Sequence, residues 1–212
     1  MQISVQPLHA GRTMASAYVA VAQGERTLCG GLVLLDVEEP DVLRHTAPAP
    51  AVVGPEGLDA VKVMSTEGAE IRIVDGADLS SLAVAGPAGL DVWVRWGDPG
   101  TDERAVHQAI SAWFTDPFLI PAALRPHEGL GLGTAHDTLS TGVLNHTLTF
   151  HESFRVDEWL LLSQHTVHGG GGRTFGEGHV FTREGRLVAS FSQENMIRYF
   201  PDGGRGSRAT SM

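Results

Sequence analysis

The sequence lacks three features that would each point to a particular class of protein. A single cysteine among 212 residues excludes an internal disulfide and fits a reducing cytoplasm. No apolar run approaches the roughly 18 residues that a membrane span needs. The N-terminus has no basic region followed by an apolar stretch, as a secretory signal would have. We therefore expect a cytoplasmic protein without a membrane partner.

Positive charge is also scarce, with 15 Lys and Arg against 25 Asp and Glu and a formal net charge of −10. Such a chain has no general attraction to nucleic acid, so we expect no nucleic-acid partner. Hydrophobic residues make up 42% and charged residues 19%, as in ordinary globular proteins. The length allows one large domain or two modest ones.

The chain opens in strand-like sequence. Residues 2–35 read as two strands around turn signals at Ala10-Gly11 and Gln23-Gly24, closed by an apolar segment that contains Cys29. A cysteine in an apolar segment is expected to be a buried, inert thiol. Prolines then become frequent over residues 37–68, which predicts a linker.

One clear helix follows two alternating strands, Glu70–Asp75 and Leu90–Trp96. Residues 103–114 (ERAVHQAISAWF) place apolar side chains at three-and-four spacing and predict a helix that is buried on most sides. Asp102 or Thr101 is the expected N-cap, and Pro117 ends the helix.

Strands return after the helix. Alternating sequence covers 141–150, 158–167, 173–182 and 186–197, and a tight hairpin joins the last two. One apolar helix against a meander of antiparallel strands predicts an α+β fold with the sheet wrapped around the helix.

Two of these strand segments carry a family resemblance. The stretches FHESFRVDEWLL (150–161) and FTREGRLVASFSQE (181–194), together with AWFTDPFLIPAALRP (112–126), resemble the acyl-CoA thioesterase II family of double hot-dog proteins. The resemblance covers roughly residues 90–198, while residues 2–35 look like the closing strands of the family's first module. It implies a hot-dog fold and hydrolysis of acyl-CoA, with no cofactor.

The resemblance also implies a site. The family combines an aspartate after the central helix, a hydroxyl residue on the next strand and a glutamine on the last strand. Asp116 and Gln193 fall on the first and third positions. Val143 stands at the hydroxyl position, so either Thr141, two residues away on the same face, replaces it, or the hydroxyl is gone.

The residue types at these positions suit thioester hydrolysis. A carboxylate is able to activate water as a general base, and an amide is able to hold water or the substrate carbonyl. Apolar neighbours predict that Asp116 is buried, with a raised pKa. The simpler alternatives are a solvated helix-end aspartate and, for Gln193, a polar residue on the exposed face of its strand.

Three further residues are candidate substrate contacts. His146 follows Asn145, which stands where the family more often has aspartate, and a structural role for His146 is the alternative. The glycine run ending at Gly172, with Arg173, offers amides and a guanidinium to a CoA phosphate, or else marks a bulge or a flexible break in a strand. His165 and His168 alternate across a strand, so we expect no metal site.

Together, the pattern and the resemblance imply four segments: a partial N-terminal hot-dog module (1–36), a linker (37–68), a complete hot-dog domain (69–200) and a disordered tail (201–212). The family's first helix would precede residue 1, so the sheet formed by residues 2–35 is expected to expose apolar surface. We therefore expect a homodimer or a higher homo-oligomer.

Three functions remain open from the sequence. The first is an acyl-CoA thioesterase that uses Asp116 and Gln193, and the second is a catalytically impaired hot-dog protein that binds acyl-CoA or a protein partner. The third is a hot-dog hydratase, which needs a His-Asp pair near the helix, where His107 is the only histidine.

Overall fold

A computed structural model describes residues 1–62, 67–84 and 86–200 of the chain. The chain divides into two compact units, residues 1–45 and residue 46 onward. The predicted disordered tail, 201–212, lies outside the described residues, and the other segment boundaries stay predictions. Neither α-helix in the described part is long and apolar enough to cross a membrane.

The first unit is a three-stranded antiparallel sheet, where the sequence suggests two strands and a closing segment. Its strands are β1 (Gln2–Ala10), β2 (Met14–Gln23) and β3 (Arg26–Asp36), in that order. The prediction that Cys29 is buried is wrong, because the whole of β3 is exposed. An apolar segment indicates a strand but does not by itself supply the layer that would cover it.

The second unit holds the remaining strands and both helices. Its elements are β4 (Ala69–Ile73), β5 (Gly89–Trp96), α1 (Arg104–Thr115), α2 (Leu119–Leu124), β6 (Leu139–Phe150), β7 (Leu160–Gly170), β8 (Arg173–Thr182) and β9 (Leu187–Tyr199). The strands form one antiparallel sheet in the order β4-β5-β7-β8-β9-β6. The predicted α+β arrangement, a sheet against one main helix, is confirmed, and α2 is a short addition that the sequence reading missed.

The main core lies between the helices and the inner face of this sheet. Phe114, Phe118 and Leu119 pack with apolar side chains of the central strands, among them Val92, Val94, Leu160, Leu162, Val180 and Phe191. Trp113 and Phe114 also meet Trp96 edge-on, with ring centroids 5.9 and 6.3 Å away. Each such residue stabilises the fold by roughly 1.5–3 kcal/mol through burial, which anchors the end of α1 over the sheet.

The outer face of the sheet is covered by part of the predicted linker. Trp93, Trp159, Leu161 and Phe181 form a second cluster, against which Ala49, Val52 and Leu58 pack. The indole Nε1 of Trp93 donates to the carbonyl oxygen of Val53 at 2.9 Å. This proline-rich segment therefore has no regular structure but packs as a layer of the second unit.

Helix α1 differs from its prediction at its start and in the face that it buries. The N-cap is Glu103, whereas Asp102 pairs with Arg155 at 2.6 Å. The buried residues are His107, Ser111, Phe114 and Thr115, and Ala109 is exposed. The expectation of a helix buried on most sides is therefore wrong, because only one stripe of α1 faces the sheet and the other sides are exposed or half-buried.

Glycines in β8 set how closely the core approaches the sheet. A Cβ added at Gly178 would lie 2.5 Å from Cζ of Phe191 and 2.7 Å from Cβ of Gln164. One added at Gly176 would lie 2.6 Å from Cδ2 of Leu119. Only glycine leaves room for these side chains at the centre of the sheet.

We expect Gly178→Ala to lower the free energy of unfolding by about 1–3 kcal/mol, because the added methyl group overpacks the core. Gly142→Ala in β6 is the matched control, since a Cβ there meets no atom within 4 Å. Urea unfolding of the two variants and the wild type measures the difference. Equal stability of the two variants would contradict this packing.

Candidate active site

Asp116 lies at the C-terminal end of α1. It is the C-cap residue, and its backbone N–H points at the carbonyl oxygen of Trp113 at 3.4 Å. Its side chain is exposed, so the prediction that apolar neighbours bury this carboxyl group is wrong. Phe114 and Phe118 point into the core, whereas Asp116, at the end of the last helical turn, faces away from it. The carboxylate is therefore accessible to a water molecule and a substrate.

Gln193 projects from β9 towards the same point. Its side chain is 1% exposed, so it lies on the inner face of the sheet and not on the outer face. Its Nε2 donates to the backbone oxygen of Asp116 at 3.1 Å and approaches Oδ1 of Asp116 at 3.4 Å. The fold thus brings together two predicted site residues that are far apart in the sequence.

His146 joins this pair from the neighbouring strand. It lies opposite Gln193 in the register of β6 and β9, and its Nδ1 is 3.1 Å from Nε2 of Gln193. Its Nε2 is 3.1 Å from Oγ1 of Thr115, and its ring stacks on Phe191. Asp116, Gln193, His146 and Thr115 therefore form one hydrogen-bonded group, which we call the site network.

Burial lowers the pKa of His146 from its ordinary 6.5, while the negative charge of Asp116 offsets part of this shift. The imidazole is therefore neutral at pH 7. A neutral imidazole has one nitrogen that donates and one that accepts, which matches its two different partners.

The strand that carries the expected hydroxyl is irregular at this level. A bulge places Leu144 out of register, so that Val143 pairs with Asn195 and His146 with Gln193. Thr141 pairs with Ile197, four residues from Gln193, or about 13 Å along β9. Among the described residues no hydrogen bond joins Thr141 to the site network, and its catalytic role stays a prediction.

The glycine run forms a hairpin turn between β7 and β8. Gly171 and Gly172 have φ of 61° and 77°, the conformation that a two-residue turn requires and that glycine adopts without strain. The run is therefore a turn between two strands and not a bulge within one strand. Arg173 follows the turn, and its guanidinium donates to Oε1 of Glu194 at 2.9 Å.

Thr115 is the residue of the network that the sequence reading missed. A signal was present, because His107, Ser111 and Thr115 recur every four residues and so form a polar stripe on one helix face. The apolar periodicity by itself directs attention to the neighbouring apolar stripe of the helix.

The hot-dog hydratase that the sequence left open gains no support from the structure. Buried His107, the histidine that it would need, accepts a hydrogen bond from the backbone N–H of Val156.

Comparison with known families decides the relationship. Residues 41–197, more than half of the chain, match the family model of the acyl-CoA thioesterase C-terminal domain. The chain belongs to the acyl-CoA thioesterase family. The resemblance read from the sequence is confirmed, and Asp116, His146 and Gln193 all lie within the matched residues.

Known proteins are similar to this chain over more than the residues that match the family model. The chain is 25% identical to acyl-CoA thioesterase 2 of Haemophilus influenzae, over 92% of this chain and 72% of that protein. It is 28% identical to the solved acyl-CoA thioesterase II TesB2 of Mycobacterium marinum, with a TM-score of 0.77 over 94% of this chain and 74% of that one.

The fold class is confirmed by a more distant structure. A protein with a hot-dog fold from Alicyclobacillus acidocaldarius superposes with a TM-score of 0.70 at 15% identity, over 92% of this chain and 72% of that one. The thioesterase family member is therefore an α+β hot-dog protein, as the sequence predicts.

The lowered pKa of His146 predicts a stability change with pH. His146 binds a proton more readily in the unfolded chain than in the folded one. The contribution of neutral His146 to the free energy of unfolding is therefore fully present above about pH 6.5 and is lost as the pH falls towards the folded-state pKa. We expect His146→Gln to flatten the loss of unfolding free energy between about pH 7 and pH 5.

The measurement is urea unfolding at several pH values, with exposed His45→Gln as the control. An NMR titration of the wild type should give His146 a pKa below 6.5. If the free energy of unfolding changes with pH in the same way for the wild type and His146→Gln, His146 is not the group responsible for the change.

Proposed function

We propose that this chain hydrolyses fatty acyl-CoA thioesters to a free acid and CoA, with Asp116 and Gln193 at the reacting centre. The hydrogen bond from Gln193 to Asp116 is the observation that carries the proposal. Membership of the acyl-CoA thioesterase family and the name of the Haemophilus relative support the reaction type. They do not favour the non-catalytic alternative.

In the proposed reaction the exposed carboxylate of Asp116 accepts a proton from water as a general base. The water oxygen bonds to the thioester carbon, the carbon–sulfur bond breaks, and the CoA thiolate takes up a proton. Gln193 holds Asp116 in place through its Nε2. The Oε1 of Gln193 is buried without a hydrogen-bond partner among the described residues. In the proposed reaction it accepts a hydrogen from the attacking water when that water enters with the substrate.

Substrate contacts extend the proposal along the sheet. Arg173 has a side chain that is 58% exposed, and a guanidinium has five donors, so it is suited to a CoA phosphate beside the amide of Gly172. His146, the other proposed substrate contact, is hydrogen-bonded to Gln193 in the site network. We keep Thr141, further along β6, as the candidate for the hydroxyl that Val143 lacks.

We place the reaction in the cytoplasm, in keeping with the single cysteine.

We expect Asp116→Asn to lower kcat by roughly 100-fold or more, because an amide cannot accept the proton. Gln193→Ala should also lower kcat, since it frees Asp116 and removes the proposed water acceptor. Release of the CoA thiol from acyl-CoA of several chain lengths measures both effects.

Matched controls separate chemistry from folding. Asp59→Asn removes an exposed carboxylate elsewhere, and Gln164→Ala removes a buried amide from β7, two strands away from Gln193 in the same sheet. Both controls should retain kcat. If Asp116→Asn and Gln193→Ala retain it as well, the reacting centre lies elsewhere.

We also propose that two copies of the chain associate through the first unit. Its strands expose large apolar side chains, among them Ile3 at 68%, Leu32 at 77% and Leu34 at 68%. Leu32 and Leu34 lie on one face of β3, two residues apart. Ile3 lies on the opposite face, because it pairs with Val21, which in turn pairs with Cys29. Exposed apolar side chains of this size are usually covered, and a second copy of the chain would offer a matching apolar surface.

Light scattering after size-exclusion chromatography should therefore give the mass of a dimer or a larger homo-oligomer. Leu32→Lys with Leu34→Lys should shift the protein towards a monomer, because a lysine ammonium resists burial. Glu25→Lys, in the turn before β3, is the control and should keep the assembly. A monomeric wild type would contradict this association.

A further inference from the structure

Thr115 makes two hydrogen bonds that fix the direction of each proton. It is the last residue of α1 and is fully buried. Its Oγ1 lies 2.8 Å from the carbonyl oxygen of Ala112 and 3.1 Å from Nε2 of His146. A carbonyl oxygen only accepts, and a hydroxyl has a single hydrogen. The hydroxyl therefore donates to Ala112 and accepts from His146, so the proton of His146 is on Nε2.

This protonation state determines what the other ring nitrogen does. Burial favours the neutral imidazole of His146, which carries a single N–H. With that N–H on Nε2, Nδ1 is an acceptor. Its neighbour at 3.1 Å is Nε2 of Gln193, which donates. The opposite tautomer would direct an N–H at an NH₂ group, and the amide would have to turn away.

The amide of Gln193 is thereby held in one of its two orientations. Both acceptors around it, Nδ1 of His146 and the backbone oxygen of Asp116, select the nitrogen. Its Oε1 is left on the other side, buried and without a hydrogen-bond partner in the described part of the chain. In the same part of the chain, Gln164 and Asn195 also have buried amide oxygens without a partner. Of the three residues, Gln193 is the one bonded to Asp116, so its Oε1 is the place for a hydrogen donor that arrives with the substrate or water.

We propose that Thr115 is a positioning residue, which acts through the Nε2–H of His146 to hold Gln193 with its nitrogen towards Asp116 and its oxygen free for the attacking water. The role in turnover rests on the proposed hydrolysis, whereas the tautomer does not. Among the described residues, the hydrogen bonds of the Thr115 hydroxyl go to Ala112 and His146 and not to Asp116. Its effect should therefore fall on kcat and not on KM.

The test compares Thr115→Val, which keeps the volume and removes the acceptor, with Thr115→Ser, which keeps the hydroxyl. Ser111→Ala is the matched control, because Ser111 is an equally buried hydroxyl one turn earlier on the same face. Ring ¹⁵N NMR of histidine-labelled protein identifies the tautomer of His146, and steady-state thioester cleavage separates kcat from KM.

We expect Nε2–H in the wild type, Thr115→Ser and Ser111→Ala, and a shift towards Nδ1–H in Thr115→Val. The kcat of Thr115→Val should fall roughly tenfold, as expected for one lost buried hydrogen bond, with KM within about twofold. Thr115→Ser should restore it.

Any of three results would overturn the proposal. The first is a wild-type His146 with its proton on Nδ1, a measurement that needs no variant to fold. The second is a Thr115→Val protein with the tautomer and kcat of the wild type, and the third is a Thr115→Ser protein as impaired as Thr115→Val. If the wild type cleaves no acyl-CoA, the proposed function fails, while the tautomer measurement still decides whether Thr115 fixes the protonation site of His146.

Discussion

The site depends on the seating of one helix end over the inner face of the sheet. Phe114 and Phe118 are fully buried on either side of Asp116, and their packing fixes where α1 ends. Gln193 rises from the sheet and bonds to the backbone as well as the side chain of Asp116. Apolar packing thus sets the position, and polar contacts set the direction of each group at that position.

The network also shows how a buried group is held without a buried charge. The only carboxylate in it, Asp116, keeps its side chain exposed, while Gln193 and Thr115 are neutral and buried. His146 remains neutral because burial lowers its pKa. Only neutral groups are therefore removed from water, and the free-energy cost of burying them is far lower than that of burying an ion. The carboxylate itself remains open to water.

Strand order explains why residues so distant in the chain meet. β6 lies at the edge of the sheet beside β9, so His146 stands opposite Gln193 although 47 residues separate them. The glycines of β8 leave space beneath Leu119 and Phe191 beside this pair. The same architecture recurs in hot-dog relatives at identities too low to preserve most side chains.

The sequence by itself determined the α+β class, the main helix, most strands of the second unit and the positions of Asp116 and Gln193, because periodicity and a local motif are properties of neighbouring residues. Only the tertiary structure decided that Asp116 is exposed and Gln193 buried. It also showed that Thr115 is hydrogen-bonded to His146 in the site network, and that no hydrogen bond joins Thr141 to that network in the described part of the chain. Burial, the bulge in β6 and the choice of the helix face that meets the sheet depend on contacts between distant segments. The polar stripe that ends at Thr115 is visible in the sequence, but only these contacts show that it faces the sheet.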